Sequence, residues 1–347
     1  SGLMASDEET VDDPIGEGGP HEMAGGMNSG EPCTFENFMC RALHDPERGY
    51  YARRISGVGS RGDFTTAPML NDSLARAIAG WAVEAMKTSG CRDLIEIGPG
   101  EGRLSAETFK RLPWHVRWRT RLHLVETSEP LREKQRELLG DKAVWHDHPS
   151  AALAACGGNA VIFSNELVDA FPVRRLEKTH DGWQEIAVSF DERGIARESL
   201  LSPAPLPDSS GFRGDFAIGQ RIEVHESYQK WLTAWLPEWK RGRMLTIDYG
   251  STADSLYQRR PRGTVRAYLL QQRLEGQEIY QNIGRQDLTA DVNFTDLVEW
   301  SQPWLETTCL ETLSGFLKRS GVEDRELTDE NGAGGAFMVL DQSRAAP

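Results

Sequence analysis

The chain is predicted to be an α/β protein with a mostly parallel sheet and helices on both faces. Three observations predict this. Short apolar runs at 93–97, 122–126, 143–146, 160–164 and 243–250 have the length and boundaries of buried strands. Amphipathic stretches at 103–112 and 129–139 separate the first three. The repeat of about 30 residues matches a strand and its crossover helix, which brings the next strand in parallel.

Taken in order, residues 1–30 hold seven acids and no Lys or Arg, with many glycines, so a disordered acidic tail is expected. The stretch lacks the early positive charge of a secretory signal or transit peptide, and neither is expected. Residues 31–90 are predicted to form a helical cap region. Thr34 is a plausible N-cap for "FENFMCRAL", and a helix is predicted over 71–88 with apolar residues at 74, 78, 81 and 82. Residues 91–347 hold the strand–helix alternation, interrupted by insertions at about 172–240 and 255–295. The first insertion predicts a hairpin with its turn at Asp181-Gly182, a loop over 200–217, and a helix over 221–239. Further helices are predicted near 294–301 and 313–320, and "AFMVLDQ" closes as a strand.

The 347 residues suffice for one large or two modest domains, and the net charge is −14. That charge argues against a nucleic-acid surface, which needs a basic face. No apolar run is long enough to span a membrane. Five cysteines without a CxxC pair suit a reduced, cytosolic protein. His146, Asp147 and His148 lie on one extended stretch and point alternately to opposite faces, so no metal site is expected there.

The chemistry centres on "DLIEIGPGEGRLS". Gly98, Gly100 and Gly102 recur at alternate positions around Pro99, where absent Cβ atoms let a ligand approach the backbone. A dinucleotide loop needs GxGxxG, and Arg103 stands where its third glycine belongs. Glu96 precedes the loop and would repel a pyrophosphate. It would attract S-adenosylmethionine, which carries a sulfonium and an ammonium and no phosphate. Glu126 ends the second strand, where an acid can accept both ribose hydroxyls. Asp147 follows the third, on the adenine side. Both acids also suit a turn or the start of a helix. "SNELVDAFPV" ends the fourth strand and sets Asn165, Glu166 and Asp169 where an acceptor would sit. Paired carboxylates hold a guanidinium or ammonium by charge-assisted hydrogen bonds. They also suit a turn before Pro172.

The strings "FMCRALHDPERGYYARR", "GDFTTAP", "LIEIGPGEGRL", "SNELVDAFPV", "GTVRAY" and "QDLTADVNFTDL" occur in this order over about 34–340. Together they resemble the MidA-like family of S-adenosylmethionine-dependent methyltransferases, which includes a mitochondrial arginine methyltransferase. The resemblance implies a seven-stranded, Rossmann-like methyltransferase sheet with an added substrate-side subdomain. It implies cofactor contacts at Glu96, Gly98, Gly100 and Glu126. It also implies that 62–68, with Thr66, closes over the cofactor and that Glu166, Asp169, Asp287 and Asp291 face the acceptor. Asp287 and Asp291 read equally as loop acids. The family commonly carries Glu after "TTAP"; Met69 stands there, which makes a peptide or small molecule a rival to a protein acceptor. The expected function is methyl transfer to nitrogen or oxygen of such an acceptor. The rival is a non-catalytic assembly factor on the same scaffold. A nicotinamide oxidoreductase is a third reading, disfavoured by the loop spacing. The sequence permits a homodimer without specifying one.

Overall fold

The computed structural model describes residues 30–55, 72–202 and 205–344. The acidic stretch 1–29, Thr66 and Met69 lie outside the described residues.

Seven strands build the central sheet: β1 (Asp93–Ile97), β2 (Arg121–Val125), β3 (Ala143–His146), β4 (Val161–Asn165), β5 (Arg243–Ser251), β6 (Leu305–Thr312) and β7 (Phe337–Arg344). Their order across the sheet is β6-β7-β5-β4-β1-β2-β3, and all run parallel except β7. A two-residue strand, Val292–Asn293, pairs in parallel with the end of β5. All five residues of β1 are buried, as a central parallel strand covered on both faces requires.

The helices named below are α1 (Phe35–His44), α2 (Asp72–Ser89), α3 (Arg103–Arg111), α4 (Glu129–Leu139), α5 (Pro149–Ala155), α6 (Glu226–Trp235), α7 (Phe294–Ser301) and α8 (Leu313–Arg319). Local chemistry sets their ends. Thr34 Oγ1 accepts from Asn37 N at 3.3 Å to start α1. Ser128 caps α4 through Leu131 N, Pro130 occupies its first turn, and Gly140 ends it at φ +57°. Leu94, Leu124 and Phe163 of the strands bury against α2, α3 and α8 on one face. Ile95, Val125 and Ile162 bury with residues of α5, α6 and α7 on the other.

The N-terminal helix and both insertions share a third core. Phe35, Phe38 and Met39 of α1 pack with Val188, Phe190, Ile279 and Tyr280. The insertions form an antiparallel sheet from Arg174–Thr179, Gly182–Phe190, Ala196–Leu201 and Arg221–Val224, joined by Cys33–Thr34, and a separate three-stranded sheet.

Three expectations need correction here. The predicted helix 221–239 begins as a strand, because Ile222 and Val224 are buried in register with Leu176 and Arg174; helix starts only at Glu226. The hairpin turns at His180–Asp181, one residue early, and Gly182 at φ +101° already pairs with Thr179. The predicted loop 200–217 is strand to Leu201 and carries a 3-10 turn at Ser210–Arg213.

Candidate active site

The chain builds β1, β2 and β3 outward in one direction, then returns to place β4 on the other side of β1. Open α/β sheets bind ligands at such a reversal, over the carboxyl ends of the two strands, here β1 and β4. The glycine loop leaves β1 and the Asn165–Asp169 segment leaves β4, so both meet there.

Gly98, Gly100 and Gly102 adopt φ of +68°, +56° and +84°, a conformation that side chains with a Cβ avoid. A Cβ on Gly98 would stand 2.8 Å from Leu167 Cδ1, so the two loops touch. A Cβ on Gly102 would stand 2.9 Å from Gln135 Cγ, whereas Gly100 faces open space among the described residues. Pro99 O accepts from Gly102 N at 2.9 Å and tightens the turn. Gln135, buried on α4, donates from Nε2 to Gly100 O at 2.6 Å and accepts from Trp145 Nε1 at 2.8 Å. It braces the loop from below.

Glu96 lies beneath this loop, 2% exposed, and accepts from the Ser105 hydroxyl in the first turn of α3. Burial pushes its carboxyl up to about 7. Glu126 follows β2, half-buried, and its Oε1 accepts from Ser128 N at 2.9 Å; burial raises it above the usual range. Asp147 is exposed and bonded at 2.5 Å to Arg132, whose Nε also donates to Glu126 O at 2.6 Å. One guanidinium thus ties the ends of β2 and β3 together. His146 bonds His123, and His148 caps α5 through Ser150 N, so these two histidines and Asp147 turn to separate partners.

Across the glycine loop, Asn165 ends β4 with its Oδ1 buried and without a hydrogen-bond partner among the described residues. Glu166 sits at φ +52°, a left-handed conformation costly for a residue with a Cβ. It is anchored by its N–H on Ile247 O at 2.9 Å. Asp248, fully buried in β5, accepts from Val168 N at 2.8 Å, Asp169 N at 3.2 Å and Tyr249 N at 2.9 Å. It fixes the segment that carries Glu166 and Asp169. Burial, with Asp169 and Glu166 nearby, holds its own carboxyl well above the usual range.

Asp169 is 4% exposed, and burial pushes it up to about 7 against the opposing pull of Arg266. Arg266 lies 5.3 Å over the Tyr249 ring, donates to Tyr268 Oη at 2.7 Å, and pairs with Asp291 at 2.5 Å. Asp291 also pairs with Arg260 at 2.6 Å, so two guanidiniums engage it. Asp287 is buried and accepts from Tyr51 Oη at 3.5 Å. Sequence reasoning missed Gln135, Asp248 and Arg266. Two carried a signal: Asp248 is a lone acid within the apolar run "MLTIDYG", and Arg266 lies inside the string "GTVRAY".

The chain is similar in sequence and fold to known proteins. A family described as putative S-adenosyl-L-methionine-dependent methyltransferase matches residues 77–310. The chain is 25% identical over 330 residues to the mitochondrial protein arginine methyltransferase NDUFAF7 of Danio rerio, covering 85% of this chain and 74% of that one. To its Homo sapiens counterpart it is 25% identical over 343 residues, covering 86% and 72%. A likely methyl transferase from Burkholderia thailandensis, solved bound to S-adenosyl-homocysteine, superposes with a TM-score of 0.81 at 25% identity. That superposition covers 94% of this chain and 92% of the other.

Proposed function

We propose, from the premise that the chain belongs to the S-adenosyl-L-methionine-dependent methyltransferase family, that its acceptor is a guanidinium nitrogen of a protein or peptide arginine. S-adenosylmethionine is the methyl donor. The residues present fit it: three left-handed glycines leave a cradle that a Cβ would fill or distort, and Glu126 stands at the end of β2. When bound, the donor supplies an electrophilic methyl group on a cationic sulfur.

The remaining work belongs to the protein. Methyl transfer is an in-line displacement that needs an acceptor nitrogen held close, aligned and unprotonated. Glu166 and Asp169 are proposed to hold the guanidinium by charge-assisted hydrogen bonds. Asp169, pushed up to about 7, is placed to take the proton that the nitrogen loses and to pass it to solvent. Asp291, engaged by Arg260 and Arg266, is proposed to steady Arg266 rather than to touch the acceptor. Glu96 is proposed to pin the loop to α3 through Ser105 and to lend negative charge to the amino-acid end of the donor.

One observation supports this reading: Leu167, in the segment that carries Glu166 and Asp169, packs where a Cβ on Gly98 of the glycine loop would stand. The names of the curated relatives support arginine as acceptor. The test is mass spectrometry of arginine peptides and a cell extract incubated with labelled donor. Methylarginine is the expected product. Label confined to a small molecule would transfer the proposal to the rival acceptor class. Absence of micromolar donor binding by calorimetry would restore the non-catalytic reading. The five cysteines are free thiols, which supports a reducing compartment. The cytosol is proposed, and the mitochondrial relatives mark the alternative to check by fractionation.

A further inference from the structure

The acids above gather at the carboxyl ends of the parallel strands. The amino ends carry the opposite sign. Exposed Arg92 precedes β1, exposed Arg119 and Arg121 lead into β2, exposed Lys142 precedes β3, and exposed Arg241 precedes β5. Asp93 at this edge is buried and bonded to Arg121 and His123, and exposed Asp141 leaves an excess of positive charge.

The connection from α3 to β2 projects from this edge. Residues 110–121, "KRLPWHVRWRTR", hold five Lys or Arg and no acid in a chain of net charge −14. After Pro113 they form a single helical turn, Trp114–Arg117. Val116 packs inward on the core, while Trp114 and Trp118, one turn apart, are 76% and 83% exposed. Single exposed apolar residues are ordinary, but two indoles framed by cations on one turn are not.

We infer that this corner docks on the surface of an anionic lipid bilayer. Trp114 and Trp118 enter the headgroup layer, and Arg92, Lys110 and Arg119 face the lipid phosphates. Indole is amphipathic and partitions to that depth, and cations near it gain from the negative surface potential. The corner is convex: its indoles stand out from one turn, with exposed Pro113 and His115 beside them. A bilayer accepts such a projection, whereas a protein partner would need a matching hollow. The overall charge of the chain opposes the same membrane, so docking selects the basic end and turns the acidic crevice toward water.

The test uses the full chain sedimented with phosphatidylcholine vesicles, with and without about 30% phosphatidylglycerol. Partition should be at least about tenfold stronger with the anionic lipid, fall with salt, and blue-shift tryptophan emission. The double change Trp114→Ala with Trp118→Ala should remove about tenfold of it while melting temperature and donor binding stay unchanged. Equal partition to both vesicles, or binding that survives the double change, would overturn the proposal. So would binding of polyglutamate without vesicle binding, which would assign the corner to an acidic protein. Donor binding is read separately, so failure here leaves the methyl-transfer reading intact.

Discussion

The two ends of one sheet differ in sign and in construction. At the carboxyl ends Glu96, Asp169 and Asp248 are buried, and burial holds each above the ordinary carboxylate range. Backbone conformations there are unusual, from Gly98 to Glu166. At the amino ends most cationic side chains are exposed, and the left-handed positions fall on glycines such as Gly90 and Gly140. The parallel core supplies a rigid frame to both. The difference teaches that strand polarity separates two tasks: a strained, desolvated end suits chemistry, and a solvated end suits contact with large surfaces.

The sharpest way to break the comparison is Asp248→Ala. It strips the acceptor from three backbone N–H groups in a buried place, so about 3 kcal/mol or more of stability should go, read by denaturant unfolding. A loss below about 1 kcal/mol would mean the segment is held otherwise.

Next comes pH. Glu96 is held at about 7 in the folded protein and near 4.3 unfolded. Between these values the folded state binds more protons, so stability falls as pH rises and the loss is complete above about 7. Its share is on the order of 3 kcal/mol. Glu96→Gln should remove that share from the difference between pH 5 and pH 8; an unaltered difference would refute the buried acid.

Glu166→Gln and Asp169→Asn should each lower turnover by about 100-fold while donor affinity stays within about twofold. Turnover of the unaltered protein should rise through about pH 7 as Asp169 ionises. Glu126→Ala should weaken donor binding by about 1–3 kcal/mol, by calorimetry. Last, Trp118→Ala at the other end should move stability by less than about 0.5 kcal/mol and leave turnover alone. A large change there would dissolve the division between the ends.

Legibility in the sequence followed the same physics. β1 and α4 were readable to the residue, because a buried apolar run and a Ser-Pro start with a glycine stop are local signals. β6 escaped notice: "LETTCLET" mixes polar residues on both faces of an edge strand, and only Leu305 is buried. Arg221–Val224 was absorbed into the next helix, because four residues carry too little periodicity to resist a strong neighbour. At the carboxyl ends, Glu96, Glu126, Glu166 and Asp169 were proposed from the sequence because motif position sets them at strand ends. Gln135 and Arg266 act through contacts made only when distant segments meet, which no spacing encodes.

β7 lies between β5 and β6, yet it is residues 337–344, nearly the last of the described chain to leave the ribosome. Until it arrives, β5 and β6 have no partner for their facing edges, and both stay open to foreign strands. Newly made chains should therefore depend on chaperone shelter until residues 337–344 have emerged, and a stop codon anywhere before 337 should yield aggregate rather than a shorter enzyme.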